Sequence, residues 1–352
     1  MKCKWISKDN HIKCINDSDE SGYCLMHKIN KTSKENKQLI DYIKQKKINE
    51  LIGIVFEEEF KANEVIKYKY DKLVFKDIVF MDNANFRDFE FRNEVIFENV
   101  KFLGGVSFVN SKFFNSCKFK NIHFSKMSSS NKIFLDTLFI GQNLELIQIE
   151  NLARLDGIKF DGHTKIIVKD VEYKKDYFIN GKINYRIARN QANKIGDSER
   201  IGYYYYKERH YGSKSMNKKD YPTYEHYLSS KFFDTISKYV IGYGEKPWNI
   251  LIVTILTISI FAFLYMFTGI KDINSNEIKI IDLSNLNIYN TSEIFKIYSD
   301  AWYFSMIVFS TVGFGDIIAI NDIGKFIVVV EVFFGLTIAA TWTSVIMKRM
   351  IK

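Results

Sequence analysis

Phenylalanine recurs every eleven residues through the middle of the chain, in two series offset by five positions. The first series is Phe75, Phe86, Phe97, Phe108 and Phe119, and the second is Phe80, Phe91, Phe102, Phe113 and Phe124. Alternating steps of five and six match neither the 3.6-residue period of a helix nor the two-residue period of a flat strand. The spacing instead predicts a solenoid with about five residues on each face, in which every phenylalanine points inward.

An aspartate or asparagine stands two positions after each member of the first series: Asp77, Asp88, Asn99, Asn110 and Asn121. These residue types favour tight corner turns. Weaker marks extend the pattern before and after it: Phe60, Val65, Tyr70, Phe134, Phe139, Leu144, Ile149, Leu155, Phe160, Ile166 and Val171. We expect four faces, roughly 20–22 residues per coil and about five coils. An ordinary β-sandwich with a phenylalanine core is the alternative.

The pattern changes after about residue 245, where long apolar segments begin. Residues 249–268 carry no charge and are long enough to cross a hydrocarbon core of ~30 Å. A second apolar span, 325–347, has Glu331 within it. Between them, residues 299–310 form an apolar, aromatic half-helix that is too short to cross. The pattern therefore predicts an all-α region of two spans and a re-entrant segment.

The segment ahead of the first span predicts further helices. Residues 183–212 indicate a helix, a turn and a second helix. Residues 223–241 place aromatic and aliphatic side chains near one face of an amphipathic helix, typical of a helix on a membrane surface. Packing of that helix on soluble protein is the alternative.

The net charge and composition exclude few classes of function. Lysine and arginine total 50 against 41 acidic residues, and the excess is spread along the chain, so a nucleic-acid-binding solenoid fits the net charge alone. The 47% hydrophobic content excludes global disorder. The sequence shows no nucleophile–base pairing, phosphate loop or arginine-rich span, so we expect neither an enzyme nor a voltage sensor. No nucleic acid is expected as a partner.

The N-terminus has no apolar stretch of the length that a secretory signal needs, so we expect it to lie in a reducing cytoplasm. Clustered cysteines in that compartment are typical of metal sites. Cys3, Cys14, Cys24 and His27 form a four-ligand set suited to a tetrahedral structural zinc ion. Three free thiols beside an incidental histidine are the alternative, and His11 is a competing ligand.

The segment after the half-helix reads TVGFGD and comprises Thr311, Val312, Gly313, Phe314, Gly315 and Asp316. This sequence resembles the signature of potassium channels, in which successive backbone carbonyls and the threonine hydroxyl replace the hydration shell of a potassium ion. Carbonyls that point to one axis need dihedral angles that glycine adopts readily. Irregular backbone at membrane depth is tolerated only where it lines a pore. Four copies are needed to ring the ion, so we expect a homotetramer.

The same segment resembles the TVGYGD selectivity filter of potassium channels, with Phe314 in the tyrosine position. The resemblance implies that residues 311–316 bind potassium ions and that Gly335 bends the second span at a gate; close helix packing is the alternative for this glycine. Phe314 lacks the hydroxyl that would bond behind the filter. Ile307 and Val308 leave Asp316 without an obvious acidic partner in the half-helix.

The repeated unit Phe-x-[Asp/Asn]-x-x-Phe resembles the pentapeptide-repeat family over residues 60–171, most strongly over 75–124. The resemblance implies a right-handed quadrilateral β-helix. Such solenoids usually serve as scaffolds or interaction surfaces.

These patterns predict a multidomain protein. The expected parts are a zinc knot at 1–30, a helical linker at 31–59, a solenoid at 60–175, a helical connector with an interfacial helix at 176–247, and a two-helix pore-loop channel domain at 248–352, with its filter at 311–316. Lysines and an arginine near 231–246 and 348–352 place both termini in the cytoplasm by the positive-inside rule.

The expected function is passive potassium conduction across a prokaryotic plasma membrane. The solenoid would be a regulatory or interaction domain whose partner the sequence does not identify. A weakly selective cation channel and a membrane-anchored scaffold with a silent pore are the alternatives.

Overall fold

The computed structural model describes residues 1–7, 12–67, 69–125, 133–141, 143–282 and 289–350, without the side chains of residues 348 and 349. The predicted competing ligand His11 lies outside these residues. The chain divides into two compact units, Met1–Tyr221 and Pro222–Lys352, and each is described by itself. The boundary falls within residues 176–247, for which the sequence predicts one connector.

The first unit is a β-solenoid of about five turns with four parallel sheets. The first sheet contains β1 (Glu50–Ile52), β4 (Lys72–Lys76), β8 (Glu94–Glu98), β12 (Cys117–Lys120), β15 (Asn143–Ile147) and β17 (Lys165–Lys169). The second contains β2 (Val55–Phe56), β5 (Val79–Phe80), β9 (Lys101–Phe102) and β13 (His123–Phe124). The third contains β3 (Phe60–Lys61), β6 (Ala84–Asn85) and β10 (Val106–Ser107). The fourth contains β7 (Glu90–Phe91), β11 (Lys112–Phe113), β14 (Leu138–Phe139) and β16 (Lys159–Phe160).

Both phenylalanine series point into the core, as the spacing predicts. Each ring stacks on the ring one coil away, with centroid distances of 4.7 Å for Phe75–Phe97 and 5.2 Å for Phe80–Phe102. The registers place these residues directly opposite each other in neighbouring strands. Offset stacking of buried rings adds to the free energy of apolar burial, so the repeat spacing of 22 residues is fixed by the core.

The corners also follow the prediction. Asp77, Asp88, Asn99, Asn110 and Asn121 all adopt left-handed backbone conformations, with φ between 52° and 58°. Aspartate and asparagine tolerate this region better than other residues that carry a Cβ. The side-chain amide of Asn99 donates to Asp77 and that of Asn121 donates to Asn99, at 2.9 and 2.6 Å. A ladder of side chains therefore runs along one edge of the solenoid.

The solenoid begins at Glu50, ten residues before the predicted start. Leu51 pairs with Phe75 and Phe60 with Ala84, so this first coil is 24 residues long rather than 22. The two extra residues interrupt the eleven-residue period, so the period does not predict the positions of Leu51 and Phe56. A short helix, α2 (Ala62–Val65), follows β3.

Helices close both ends of the first unit. At the N-terminal end, α1 (Ser33–Lys46) starts at a capping box formed by Thr32 and Glu35 and buries Leu39 and Ile43 in the solenoid core. At the other end, α3 (Phe178–Lys194) and α4 (Ser198–Lys214) form a hairpin. Tyr204 of this hairpin donates to the carbonyl of Ile166 and accepts from the amide of Val168.

The second unit begins with α5 (Tyr224–Val240), an amphipathic helix with exposed aromatic side chains. Two apolar helices follow, α6 (Pro247–Thr268) and α8 (Asp322–Met350), and both are long enough to cross a membrane. Between them lies α7 (Thr291–Phe309). A small antiparallel sheet of β18 (Ile270–Asp272), β19 (Ile278–Lys279) and β20 (Ile317–Ala319) joins the end of α6 to the segment after the TVGFGD sequence.

Candidate functional site

The TVGFGD segment lies directly after α7. This helix begins at Thr291, eight residues before the predicted half-helix, because Asn290 and Glu293 form a capping box that starts an additional polar stretch. Ser305 and Ala301 are fully buried, and α7 packs against both α6 and α8. The position of the segment is therefore set by a helix held between the two apolar helices.

The backbone of the segment alternates in handedness. Thr311, Gly313 and Gly315 have φ of 60°, 56° and 78°. A positive φ is ordinary for glycine and costly for a β-branched residue such as threonine. The amides of Val312 and Gly313 both donate to the carbonyl of Ile307 in the last turn of α7. These bonds anchor the start of the loop to the helix that precedes it.

One side of the segment is open. Val312 is 54% exposed and Phe314 is 69% exposed. A Cβ built on Gly313 or Gly315 would meet no atom within 4 Å among the described residues. The two glycines are therefore required by backbone conformation and not by crowding within the chain.

Asp316 is held by a tyrosine. The hydroxyl of Tyr303 donates to Oδ2 of Asp316 at 2.9 Å, and the amide of Ile317 donates to Oδ1. The backbone carbonyl of Asp316 accepts from the amide of Ile273, next to the small sheet. The sequence offers Asp316 no acid at Ile307, and its partner is Tyr303, which lies one helical turn earlier on the same face of α7.

A polar network lies behind the segment. The carboxyl of Glu331 on α8 is fully buried and accepts a 2.8 Å hydrogen bond from the hydroxyl of Tyr265 on α6. Its other oxygen contacts the hydroxyl of Ser305 on α7, which is also 2.9 Å from the carbonyl of Ile258. A serine hydroxyl has one hydrogen, so Ser305 donates to one of these two oxygens at a time.

Gly335 lies where α8 crosses the end of α7. A Cβ at this position would be 2.2 Å from the carbonyl oxygen of Phe309. The glycine thus permits a close approach of the two helices. The structure places it in the middle of one continuous helix, Asp322–Met350.

The N-terminal ligand set converges in the first unit. The ligand atoms of Cys3, Cys14, Cys24 and His27 all lie within 4.8 Å of one another. Cys14 Sγ is 3.7 Å from Cys24 Sγ, and His27 Nδ1 is 3.5 and 3.3 Å from the sulfurs of Cys3 and Cys24. A tetrahedral zinc ion with the usual bond lengths needs sulfur–sulfur separations of about 3.8 Å. The donor set and its spacing therefore fit zinc.

His27 is oriented for such a role. Its Nε2 lies 3.0 Å from the carbonyl oxygen of Ile52, which accepts a hydrogen bond from that nitrogen and leaves Nδ1 facing the three sulfurs. Burial lowers the pKa of His27, so the ring is neutral at pH 7. A neutral imidazole is the form that binds a metal.

Comparison with known protein families gives a match in the second unit. Residues 279–352 match the family model described as an ion channel. The matched region contains α7, the TVGFGD segment and α8, so the second unit carries an ion-channel domain, and its two apolar helices identify a membrane protein. Neither the comparison with curated proteins nor the comparison with solved structures gives a match.

Proposed function

We propose that the protein is a potassium-selective channel that conducts potassium passively as a homotetramer. The observation that carries this proposal is the alternating left-handed backbone at Thr311, Gly313 and Gly315. Alternation of this kind lets successive carbonyls face one side, as a ring of oxygens around a dehydrated cation requires. The residues that hold the ion are those of the filter, 311–316.

The open side of the filter supports assembly into a tetramer. Val312 and Phe314 are exposed in the single chain, although irregular backbone at membrane depth must be buried in protein or face a pore. Helix α8 also exposes large apolar side chains on several faces, including Phe326, Phe333 and Leu336. Neighbouring copies and lipid would cover these surfaces, and four loops would enclose the ion path.

The orientation follows from α5 and the basic residues. Tyr224, Leu228, Phe232 and Ile236 repeat at helical spacing and are all at least 40% exposed, which suits a helix that lies in the headgroup region. We infer from the positive-inside rule that the first unit and both termini lie in the cytoplasm of a prokaryotic cell, with the pore in the plasma membrane, because Lys231, Lys238 and Lys246 precede the first span and basic residues at 348–352 follow the second. The solenoid then serves as a regulatory or interaction domain.

The N-terminal cluster holds a structural zinc ion. Cys3, Cys14, Cys24 and His27 supply four ligands, which closes the coordination shell and leaves no position for a substrate. Purified protein should contain about one zinc per chain in reducing buffer. Replacing Cys24 with serine should release the metal and leave the pore intact, and metal analysis of both proteins decides this.

Potassium flux in liposomes tests the channel proposal. Liposomes that contain the full-length protein should release potassium down its gradient. Chemical cross-linking of the protein in detergent should give a tetramer as the largest product. The Gly313→Ala variant should not conduct, because a Cβ disfavours the left-handed conformation that the filter needs. Equal fluxes of sodium and potassium would favour the weakly selective cation channel, for which the missing hydroxyl at Phe314 is the motivating feature. No flux at all would favour a scaffold.

A further inference from the structure

The first coil of the solenoid, at its N-terminal end, has backbone carbonyl groups that form no hydrogen bond with the second coil. The carbonyls of Asn49, Ile54 and Phe56 accept from the amides of Val74, Val79 and Met81 in the second coil. Carbonyls of adjacent residues in a strand point in opposite directions. The carbonyls of Ile52 and Val55 therefore point away from the second coil, toward the free N-terminal edge of the solenoid.

The segment around the cysteine–histidine cluster satisfies both of these carbonyls. His27 Nε2 is 3.0 Å from the oxygen of Ile52, and Lys31 Nζ donates to the oxygen of Val55 at 2.9 Å. Both side chains are nearly inaccessible, with 6% exposure each. Burial lowers the pKa of Lys31, because an ammonium group loses hydration when it is removed from water.

Trp5 covers the corner between the two strands. Its ring stacks on the ring of His27 with a centroid distance of 4.3 Å. A Cβ on Gly53 would lie 2.2 Å from the indole of Trp5, and Gly53 has a φ of 69°. Glycine is thus needed here for both the turn and the close approach of the tryptophan.

The two ends of the solenoid are covered in different ways. At the C-terminal end, α3 and α4 have buried residues of their own, such as Tyr185 and Ala188, in addition to the bonds that Tyr204 makes. At the N-terminal end, the described residues 1–7 and 12–32 include few buried apolar side chains and carry four converging metal ligands. Short loops of this kind depend on a bound metal for their folding free energy.

We propose that metal binding at Cys3, Cys14, Cys24 and His27 holds the N-terminal edge of the solenoid closed, with His27 linking the metal to the terminal strand. This inference rests on the proposed zinc site and is independent of ion conduction. Removal of the metal releases His27 from Ile52, uncovers β1 and β2, and leaves the later coils folded. The chemistry of three thiols and an imidazole makes this closure responsive to the supply of zinc.

Hydrogen exchange on the full-length protein, with and without a zinc chelator, tests the proposal. Metal removal should speed the exchange of amides in residues 50–56 at least tenfold, and added zinc should restore the slow rate. Amides in residues 143–169, which α3 and α4 cover, provide an internal reference and should not change. Metal analysis of the same samples separates the outcomes. Absence of zinc binding overturns both proposals, whereas bound zinc with unchanged exchange at 50–56 overturns this one alone.

A pair of lysine variants tests the contact without touching a ligand. Lys31→Met removes the bond to Val55 and should speed exchange at residues 55 and 56 while about one zinc per chain is retained. Because coupling between two sites is reciprocal, the zinc affinity of this variant should also fall. Lys34→Met, at an exposed position in the same segment, is the control and should change neither quantity. Identical behaviour of the two variants would contradict the proposal.

Discussion

The hydroxyl of Tyr303 donates a 2.9 Å hydrogen bond to the carboxylate of Asp316. Tyr303 belongs to the helix that leads into the TVGFGD segment and Asp316 is the last residue of that segment, so one bond ties the two ends of the loop together. The bond supplies a partner for Asp316 that the sequence did not reveal at Ile307 or Val308.

Replacing Tyr303 with phenylalanine should destabilise the loop that residues 311–316 form. The change removes one hydrogen bond to a charged acceptor, worth about 1.5–3 kcal/mol. Potassium currents should decay faster after activation, while selectivity among the channels that still conduct should persist. Single-channel recording in bilayers measures both properties.

Tyr298→Phe is the matched control for this change. Tyr298 lies on the same helix, and its hydroxyl makes no hydrogen bond within the described part of the chain. Its currents should resemble those of the wild type. Equal effects of the two substitutions would mean that the Tyr303–Asp316 bond has no special role.

Replacing Glu331 with leucine should destabilise the pore unit more than replacing it with glutamine. Leucine leaves the buried hydroxyls of Tyr265 and Ser305 without this partner, at a cost of about 1–3 kcal/mol. Glutamine can accept from Tyr265 and donate to Ser305. Thermal unfolding in detergent, followed by tryptophan fluorescence, measures the difference, because Trp248, Trp302 and Trp342 all lie in this unit. A glutamine variant as unstable as the leucine variant would contradict the network.

Replacing Phe102 with alanine should cost about 3–5 kcal/mol, the usual penalty for emptying a buried aromatic site. The ring is fully buried and stacks on Phe80 and Phe124. Glu98→Ala should cost about 0.5 kcal/mol or less, because it removes only a partly exposed ion pair with Lys120. Native-state hydrogen exchange of residues 94–120 gives both values. Similar costs would show that the phenylalanine series does not form the core.

Asn99→Ala should destabilise the solenoid by about 1–2 kcal/mol, because alanine pays the full penalty of a left-handed conformation. Asn99→Gly should cost less, since glycine relieves the conformational strain and loses only the bonds to Asp77 and Asn121. The same exchange experiment ranks the two variants. A glycine variant that is less stable than the alanine variant would show that the side-chain hydrogen bonds, and not the backbone conformation, determine the stability of this corner.

The solenoid was predictable because its core imposes one constant spacing on the sequence. Phe75, Phe97 and Phe119 occupy equivalent positions in successive coils, so their separation is read directly from the chain. The start of the first coil could not be predicted, because this coil has two extra residues. Leu51 and Phe56 therefore lie 24 residues, and not 22, before their partners Phe75 and Phe80. The start of α7 was also missed, since the polar stretch from Thr291 to Asp300 shows no apolar continuity with the half-helix.

The contacts that hold the TVGFGD segment could not be predicted from local patterns. Glu331 is visible in the sequence only as a charge in an apolar span, and its partner Tyr265 lies 66 residues away. The bond from His27 to Ile52 likewise depends on how the first coil folds back on the N-terminal segment. Spacing identifies residues that repeat or adjoin, whereas these pairs are brought together by tertiary packing.

The reversal potential of the reconstituted channel under bi-ionic conditions tests the central claim most directly. With potassium on one side of the bilayer and sodium on the other, a selective filter at residues 311–316 predicts a reversal potential far from zero, with the sodium side positive. Gly313→Ala should abolish the current or move the reversal potential toward zero, because the altered backbone can no longer enclose a dehydrated potassium ion. A wild-type reversal potential near zero would show that sodium passes as readily as potassium, and would contradict the potassium-selective pore.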